Sequence, residues 1–357
     1  MMTDEEIQLM IAYEGFIRRS AATGLPFMLK GSYVTRQYFP ANVPRIPGDL
    51  DWLCLDRFPD EETARTQLDA WATAVTRLAF DDGVRFRDFK ENEFWRRIDY
   101  AMDDDFPTVN TDLKCWVADQ ELEFPMDVSF NLPIDLAPVP LLYKPLQGEP
   151  FTIPFSTPLA LQVAWKIHQT LVRPRFKDLL DLLYLVQHKD FTPTTLQQSF
   201  AALLAECKAD KTDLWKIKTF LSYKLGPLFA PHDMQAVWKQ WRHYVYRPFS
   251  GNGIVIPYND RAEHLTDINL LPEKLDDFIT LFRNAMEQAG FTPGLAAGIP
   301  DMRRQEPPPV PPAMPTPATK QSTTEQPEQE QPATERPVTQ QPGEKTSLLQ
   351  KIRRFFQ

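Results

Sequence analysis

The hydrophobic period of this chain changes once, near residue 150, and that change constrains the fold more than any other feature. Before it, apolar and polar residues alternate in short runs, the period of half-buried strands. FMLKG (27–31), DLDWLCL (49–55), VRFRDF (84–89), TDLKCWVA (111–118) and EFPMDVSF (123–130) read as strands. Residues 3–20 and 61–80 read as helices, the second from Leu68, Trp71, Val75 and Leu78 at helical spacing. Prolines at 133, 138, 140, 145, 150, 154 and 158 then crowd what reads as a loop region. Beyond them the helical period holds over 157–172, 175–188, 194–207, 211–224, 231–246 and 272–289. The pattern predicts strands and helices together over 1–150, an α/β unit, followed by an all-helical domain over 151–300.

Composition shifts again after residue 300. Residues 301–344 are rich in proline and glutamine and hold no aromatic residue, so they cannot offset their ordering entropy and read as a disordered linker. Residues 345–357, KTSLLQKIRRFFQ, form a basic amphipathic peptide. Such an end suits an anionic membrane surface, a partner protein, or a frayed tail. No apolar run is long enough to span a membrane, and the acidic start does not resemble a secretory signal. Three cysteines without a CxxC pair fit a reducing, cytoplasmic setting. The net charge of −9 excludes a uniformly basic nucleic-acid coat. It is unevenly spread: 1–150 carry −12 and 151–300 carry +2, so a polyanion is expected to lean on the helical half.

Two constellations carry chemistry. In the first, an apolar strand runs through Lys30 into Gly31-Ser32, a turn that lets a backbone approach a phosphate. Asp49 and Asp51 follow at i and i+2 of a strand, on one face, with Leu50, Trp52 and Cys54 packed inward. Adjacent carboxylates repel unless a cation lies between them, and Mg²⁺ held by carboxylates and substrate phosphates answers that need, with Mn²⁺ as its substitute. Asp127 lies on a later strand whose other face is Phe124, Met126, Val128 and Phe130. If the two strands are neighbours, three acids converge, enough for one or two divalent ions. Asp127 is then the candidate general base.

The second constellation lies in 157–188. Ala160, Val163, Ala164, Ile167 and Leu171 make one apolar face, with Lys166 and His168 off it. The following helix is apolar almost all round, yet it carries Asp178 and Asp181 at i, i+3. Buried acids need partners, and Lys166, Arg173, Arg175 and Lys177 are the candidates. With no His/Cys pair at metal spacing, His168 reads as helix surface or an interhelical contact.

Lys30-Gly31-Ser32 followed by Arg45-Ile46-Pro47-Gly48-Asp49-Leu50-Asp51 resembles the nucleotidyltransferase superfamily signature, a Gly-Gly or Gly-Ser turn followed by a D-x-D strand. Arg45, four residues before the first acid, is similar to the AbiEii/AbiGii abortive-infection toxins. The chain departs at Pro47, where Ser is common, and at Ser32, where a second Gly is common. Lys166, Arg175, Lys177, Asp178, Asp181 and Leu182 fit the same family's later block, so the resemblance covers roughly 25–190. It implies an α+β chain, a minimal nucleotidyltransferase fold of mixed sheet and flanking helices followed by the helical domain, and Mg²⁺-dependent transfer of NMP from an NTP. It also implies catalytic roles for Lys166 and Asp178 beside Asp49, Asp51 and Asp127. Lys30, Gly31, Ser32, Arg45 and Arg175 are then nucleotide-binding. The implied setting is a toxin–antitoxin or phage-defence system, with a cognate antitoxin and an acceptor that is RNA, such as a tRNA 3′ end, or a protein hydroxyl. A small-molecule nucleotidyltransferase and a degenerate scaffold module stand as alternatives. Trp238, Trp241 and Val245 at i, i+3, i+7 favour core over a stacking surface, and the lysines between 208 and 224 read as a solvated face.

Overall fold

The computed structural model describes residues 4–43, 45–91, 95–98, 108–244, 264–265 and 270–299. The chain opens with α1 (Asp4–Thr23), whose first turn carries Asp4, Glu5 and Glu6 against the helix dipole. It continues through β1 (Phe27–Lys30), α2 (Ser32–Thr35), β2 (Arg45–Ile46), β3 (Leu50–Cys54) and α3 (Glu61–Arg77). Asp60 caps α3 by accepting from the Thr63 amide at 2.8 Å. Then come β4 (Val84–Phe86), β5 (Trp95–Ile98), β6 (Thr108–Val117), β7 (Gln120–Ser129), β8 (Val139–Tyr143) and β9 (Phe151–Ser156). Among the described residues the rest is helical apart from one short strand: α4 (Leu159–Val172), α5 (Phe176–Leu185), α6 (Pro193–Ala209), α7 (Trp215–Leu221), α8 (Gly226–Phe229), α9 (Met234–Tyr244), β10 (His264–Leu265) and α10 (Leu275–Gln288).

The main sheet has the order β4-β6-β7-β3-β1-β9-β8, with β5 also paired to β6. It is mixed: β3 runs parallel to β7 and β1 parallel to β9, while β1–β3, β6–β7 and β8–β9 are antiparallel. The five strands expected from alternation are present as β1, β3, β4, β6 and β7. The proline-crowded stretch is not all loop, because it holds the β8–β9 hairpin. Pro140 lies on β8 at the edge of the sheet, where the pairing slips between Val139 and Leu141 because proline has no amide to donate. The sheet therefore runs past residue 150 to Ser156.

Two apolar clusters lie within the single compact unit Met1–Asp301. One fills the space between the sheet and helices α1 and α3, where Phe27 stacks on Trp71 with centroids 3.9 Å apart. The other surrounds Phe176 on α5 with Phe229, Trp238, Trp241 and Phe278. Trp238 and Trp241 are both 1% exposed, so the aromatic stripe of α9 is core. Residues 301–357, where the linker and the basic amphipathic peptide were expected, lie outside the described residues. No described helix is long and apolar enough to cross a membrane.

Candidate active site

Sheet register assembles the first constellation. Lys30 on β1 pairs with Asp51 on β3, Asp51 pairs with Asp127 on β7, and Asp127 pairs with Asn110 on β6. Directly paired residues point to the same face, so one row across four strands carries a cation, two acids and an amide. Lys30 Nζ lies 3.5 Å from Asp51 Oδ1, and Asn110 Nδ2 donates to Asp127 Oδ1 at 2.6 Å. The opposite face, with Leu50, Trp52, Met126 and Val128, is sealed in the core. Burial, followed by the charges of Asp49 and Asp127 and, more weakly, Asp51, pushes the Tyr13 phenol well above its ordinary pKa. All three acids thus act on one buried group.

The Gly31-Ser32 turn is built around these acids. Gly31 has φ 72°, and a Cβ there would stand 2.2 Å from Asp51 Oδ2, so glycine is required both by conformation and by space. Ser32 is 3% exposed and its hydroxyl lies 3.2 Å from Asp49 Oδ1 and 3.3 Å from the Asp49 carbonyl. Ser32, expected among the nucleotide-binding residues, thus sits at the turn with its hydroxyl directed to the first acid of the pair. Among the described residues no group of three or more His, Cys, Asp or Glu side chains is drawn together tightly enough to hold a metal ion as it stands. Asp49 is turned to Ser32, Asp51 to Lys30 and Asp127 to Asn110. The donor set nevertheless suits a hard divalent cation: partly exposed carboxylates only, two of them in direct register on strands about 4.8 Å apart.

The second constellation is a buried ion network. Lys166 Nζ reaches Asp178 Oδ1 at 2.8 Å and Asp181 Oδ2 at 2.9 Å. Arg175 Nε donates to Asp178 Oδ2 at 2.6 Å, and Arg45 Nε and Nη2 clamp Asp181 at 2.8 and 3.2 Å. Both acids are 0% exposed. For Asp178, burial pushes the pKa up, but the charges of Arg175, Lys166 and Lys177 outweigh it and hold the carboxyl well below the usual range. Asp178 and Asp181 are equivalent in burial and in their contact with Lys166. Arg45, expected as a nucleotide contact, is 3% exposed and spends its guanidinium on Asp181 and on the Ile46 carbonyl. One turn before Lys166 on α4, Gln162 Oε1 lies 3.3 Å from Thr35 Oγ1, which also meets the Gly31 carbonyl at 3.1 Å. Lys166 therefore stands one helical turn from Gln162, which is joined to the Gly31 carbonyl through Thr35.

His168 is an interhelical contact and not helix surface. It is 0% exposed, with Nε2 2.7 Å from Asp210 Oδ2 beyond α6. Cys54, Cys115 and Cys207 are free and buried, and burial pushes each thiol up to about 12. Asn110 was not anticipated from sequence. The signal was available: counting back from the two-residue Ala118-Asp119 turn places residue 110 opposite 127.

A glycine turn packed against a D-x-D strand, with a third acid in register on the neighbouring parallel strand, defines a nucleotidyltransferase. The family described as "Nucleotidyl transferase AbiEii toxin, Type IV TA system" matches residues 18–249, well over half of the chain, and the chain belongs to that family. The match extends beyond 25–190 into the helical half. Among solved structures, JHP933 from Helicobacter pylori is 12% identical, with 81% of this chain and 93% of that chain covered and a TM-score of 0.41. MenT4, nucleotidyltransferase toxin Rv2826c from Mycobacterium tuberculosis H37Rv, is 15% identical, with 79% and 83% covered and a TM-score of 0.44. No curated protein matches the chain by sequence.

Proposed function

We propose that this toxin transfers a nucleoside monophosphate from an NTP to a hydroxyl at an RNA end, releasing pyrophosphate, with Asp49, Asp51 and Asp127 holding Mg²⁺. Membership of the family brings an NTP substrate and an antitoxin partner. The observation that supports metal-dependent transfer is the in-register row Lys30–Asp51–Asp127–Asn110 beside Gly31. Two acids directly opposite each other are mutually destabilising without a cation. A divalent ion there would neutralise the leaving phosphates and lower the pKa of the acceptor hydroxyl.

The protein's own groups divide the remaining work. Gly31 leaves room for a phosphate to approach the backbone, and Lys30 supplies a charge that can move from Asp51 to the nucleotide. Ser32 fixes Asp49. Asp127, with one oxygen held by Asn110, accepts the proton of the attacking hydroxyl through the other. Lys166 supplies counter-charge for the nucleotide phosphates, and Asp178 holds its ammonium in place. The test is incubation of the full chain with each α-labelled NTP and total RNA, with Mg²⁺, with Mn²⁺, and with chelator. Label in RNA that needs metal supports the reading. Label confined to protein would move the acceptor to a protein hydroxyl, and no label with any NTP would refute transfer.

A further inference from the structure

We propose that Thr35 and Gln162 are positioning residues for nucleotide binding: together they brace the Gly31 turn against α4, the helix that carries Lys166. The inference rests on the reading that the NTP phosphates approach the Gly31 turn, and it does not depend on the acceptor.

The carbonyls on either side of Lys30 are both taken up by buried threonines. The Leu29 carbonyl accepts from Thr157, from its amide at 3.0 Å and its hydroxyl at 3.1 Å. The Gly31 carbonyl accepts from Thr35 in the same way, at 3.0 and 3.1 Å. Thr157 lies just before α4 and Thr35 ends α2, and both are 0% exposed. Thr35 Oγ1 also lies 3.3 Å from Oε1 of Gln162, a 1% exposed residue in the first turn of α4. The hydroxyl has one proton, shared between the Gly31 carbonyl and the Gln162 amide, so a single contact ties the glycine turn to the helix.

The turn needs that restraint. Gly31, at φ 72° and ψ −148°, has no side chain to hold its backbone in place. A trans peptide points its carbonyl and its N–H opposite ways, so holding the Gly31 carbonyl sets the plane of the Gly31–Ser32 peptide and the direction of the Ser32 N–H. Gln162 and Lys166 are i, i+4 on one helix face, so the same contact fixes the turn relative to the lysine that supplies phosphate counter-charge. Core packing does not explain the amide. Gln162 Nε2 is buried and makes no hydrogen bond among the described residues, a cost to folding that an apolar side chain of similar size would avoid. What an apolar side chain lacks is the contact with Thr35.

The test uses the full-length protein, equilibrium dialysis with each α-labelled NTP and Mg²⁺, and melting without nucleotide. Thr35→Val is expected to weaken NTP binding about tenfold and Gln162→Met about threefold, while Thr35→Ser, which keeps the hydroxyl, recovers most of the loss. In the labelling assay KM for the NTP should rise, with kcat at saturating NTP changed much less. Melting separates positioning from packing. Thr35→Val takes away the partner of Gln162 Oε1 and should melt lower. Adding Gln162→Met removes the stranded amide and should restore the melting temperature while NTP affinity stays low. A double variant that regains both together would make the contact structural and overturn the proposal. So would wild-type affinity in Thr35→Val and Gln162→Met. Gln162→Met and the double variant keep the test decisive if Thr35→Val fails to fold. A wild type that binds no NTP overturns the parent reading and the brace with it. A wild type that binds NTP but labels no RNA refutes the acceptor alone, and the affinities still decide the brace.

Discussion

Oδ2 of Asp51 occupies the space where a side chain at Gly31 would begin, 2.2 Å from the ideal Cβ position. The turn and the acid are therefore one unit. Gly31→Ala forces an alanine into a conformation (φ 72°, ψ −148°) that essentially only glycine adopts, at about 1–3 kcal/mol, and displaces the Asp51 carboxylate. Transfer is expected to fall by about 10²-fold or more, with a lowered melting temperature. A variant as active as wild type would show that the carboxylate's position does not matter to the reaction.

Asp51→Asn and Asp127→Asn should each abolish labelled-nucleotide transfer. In chelator both should melt at or slightly above the wild-type temperature, because each removes one of two in-register like charges, worth up to about 1 kcal/mol. A large fall in melting temperature without metal would instead make these acids part of the scaffold.

Lys166 is the cation shared by Asp178 and Asp181. Lys166→Ala should cost about 3–5 kcal/mol, since it strips a buried charge pair of its bridge. Asp178→Ala and Asp181→Ala should cost similar amounts, measured by urea unfolding. Single-turnover rates on the folded fraction separate roles: a rate lost only with Lys166 and Asp178 makes that pair catalytic, and a rate kept throughout makes the network structural.

Asp178 also predicts a pH signature. Its native pKa is depressed, because Arg175, Lys166 and Lys177 outweigh the burial that raises it, while the unfolded chain titrates near 3.9. The unfolded state therefore binds the proton first as pH falls. The contribution is complete above that value and is lost as pH descends from about 5 toward the native pKa. Asp178→Asn, less stable near neutrality, should show a flatter fall of urea midpoint between about pH 5 and 3. Parallel curves would remove Asp178 from the acid response.

The three thiols, raised to about 12 by burial, should react with a disulfide reagent at neutral pH only on unfolding. Rapid reaction of any thiol in the native state would contradict their burial.

Both constellations were legible because each rests on a local pattern: i, i+2 acids on a strand, and i, i+3 acids on a helix too apolar to be exposed. What joins them was not local. Asn110 and Asp127 meet through hairpin register, His168 and Asp210 through the packing of α4 against its neighbours, and Arg45 reaches Asp181 across the fold. The β8–β9 hairpin was obscured because proline signals loop more strongly than it signals an edge strand. The direction of the Ser32 hydroxyl, toward Asp49, was likewise not legible, because sequence shows its proximity to the turn and not its orientation.

The row of Lys30, Asp51, Asp127 and Asn110 is drawn from four strands, and the β3–β7 contact within it is parallel, so no short hairpin can make it. Such long-range pairings form late, after the loops between them have closed. A growing or truncated chain that has β1 and β3 but not β7 holds the D-x-D acids without their third member. The complete acid row therefore cannot close until the chain has been made through Ser129, a delay that comes from strand order alone.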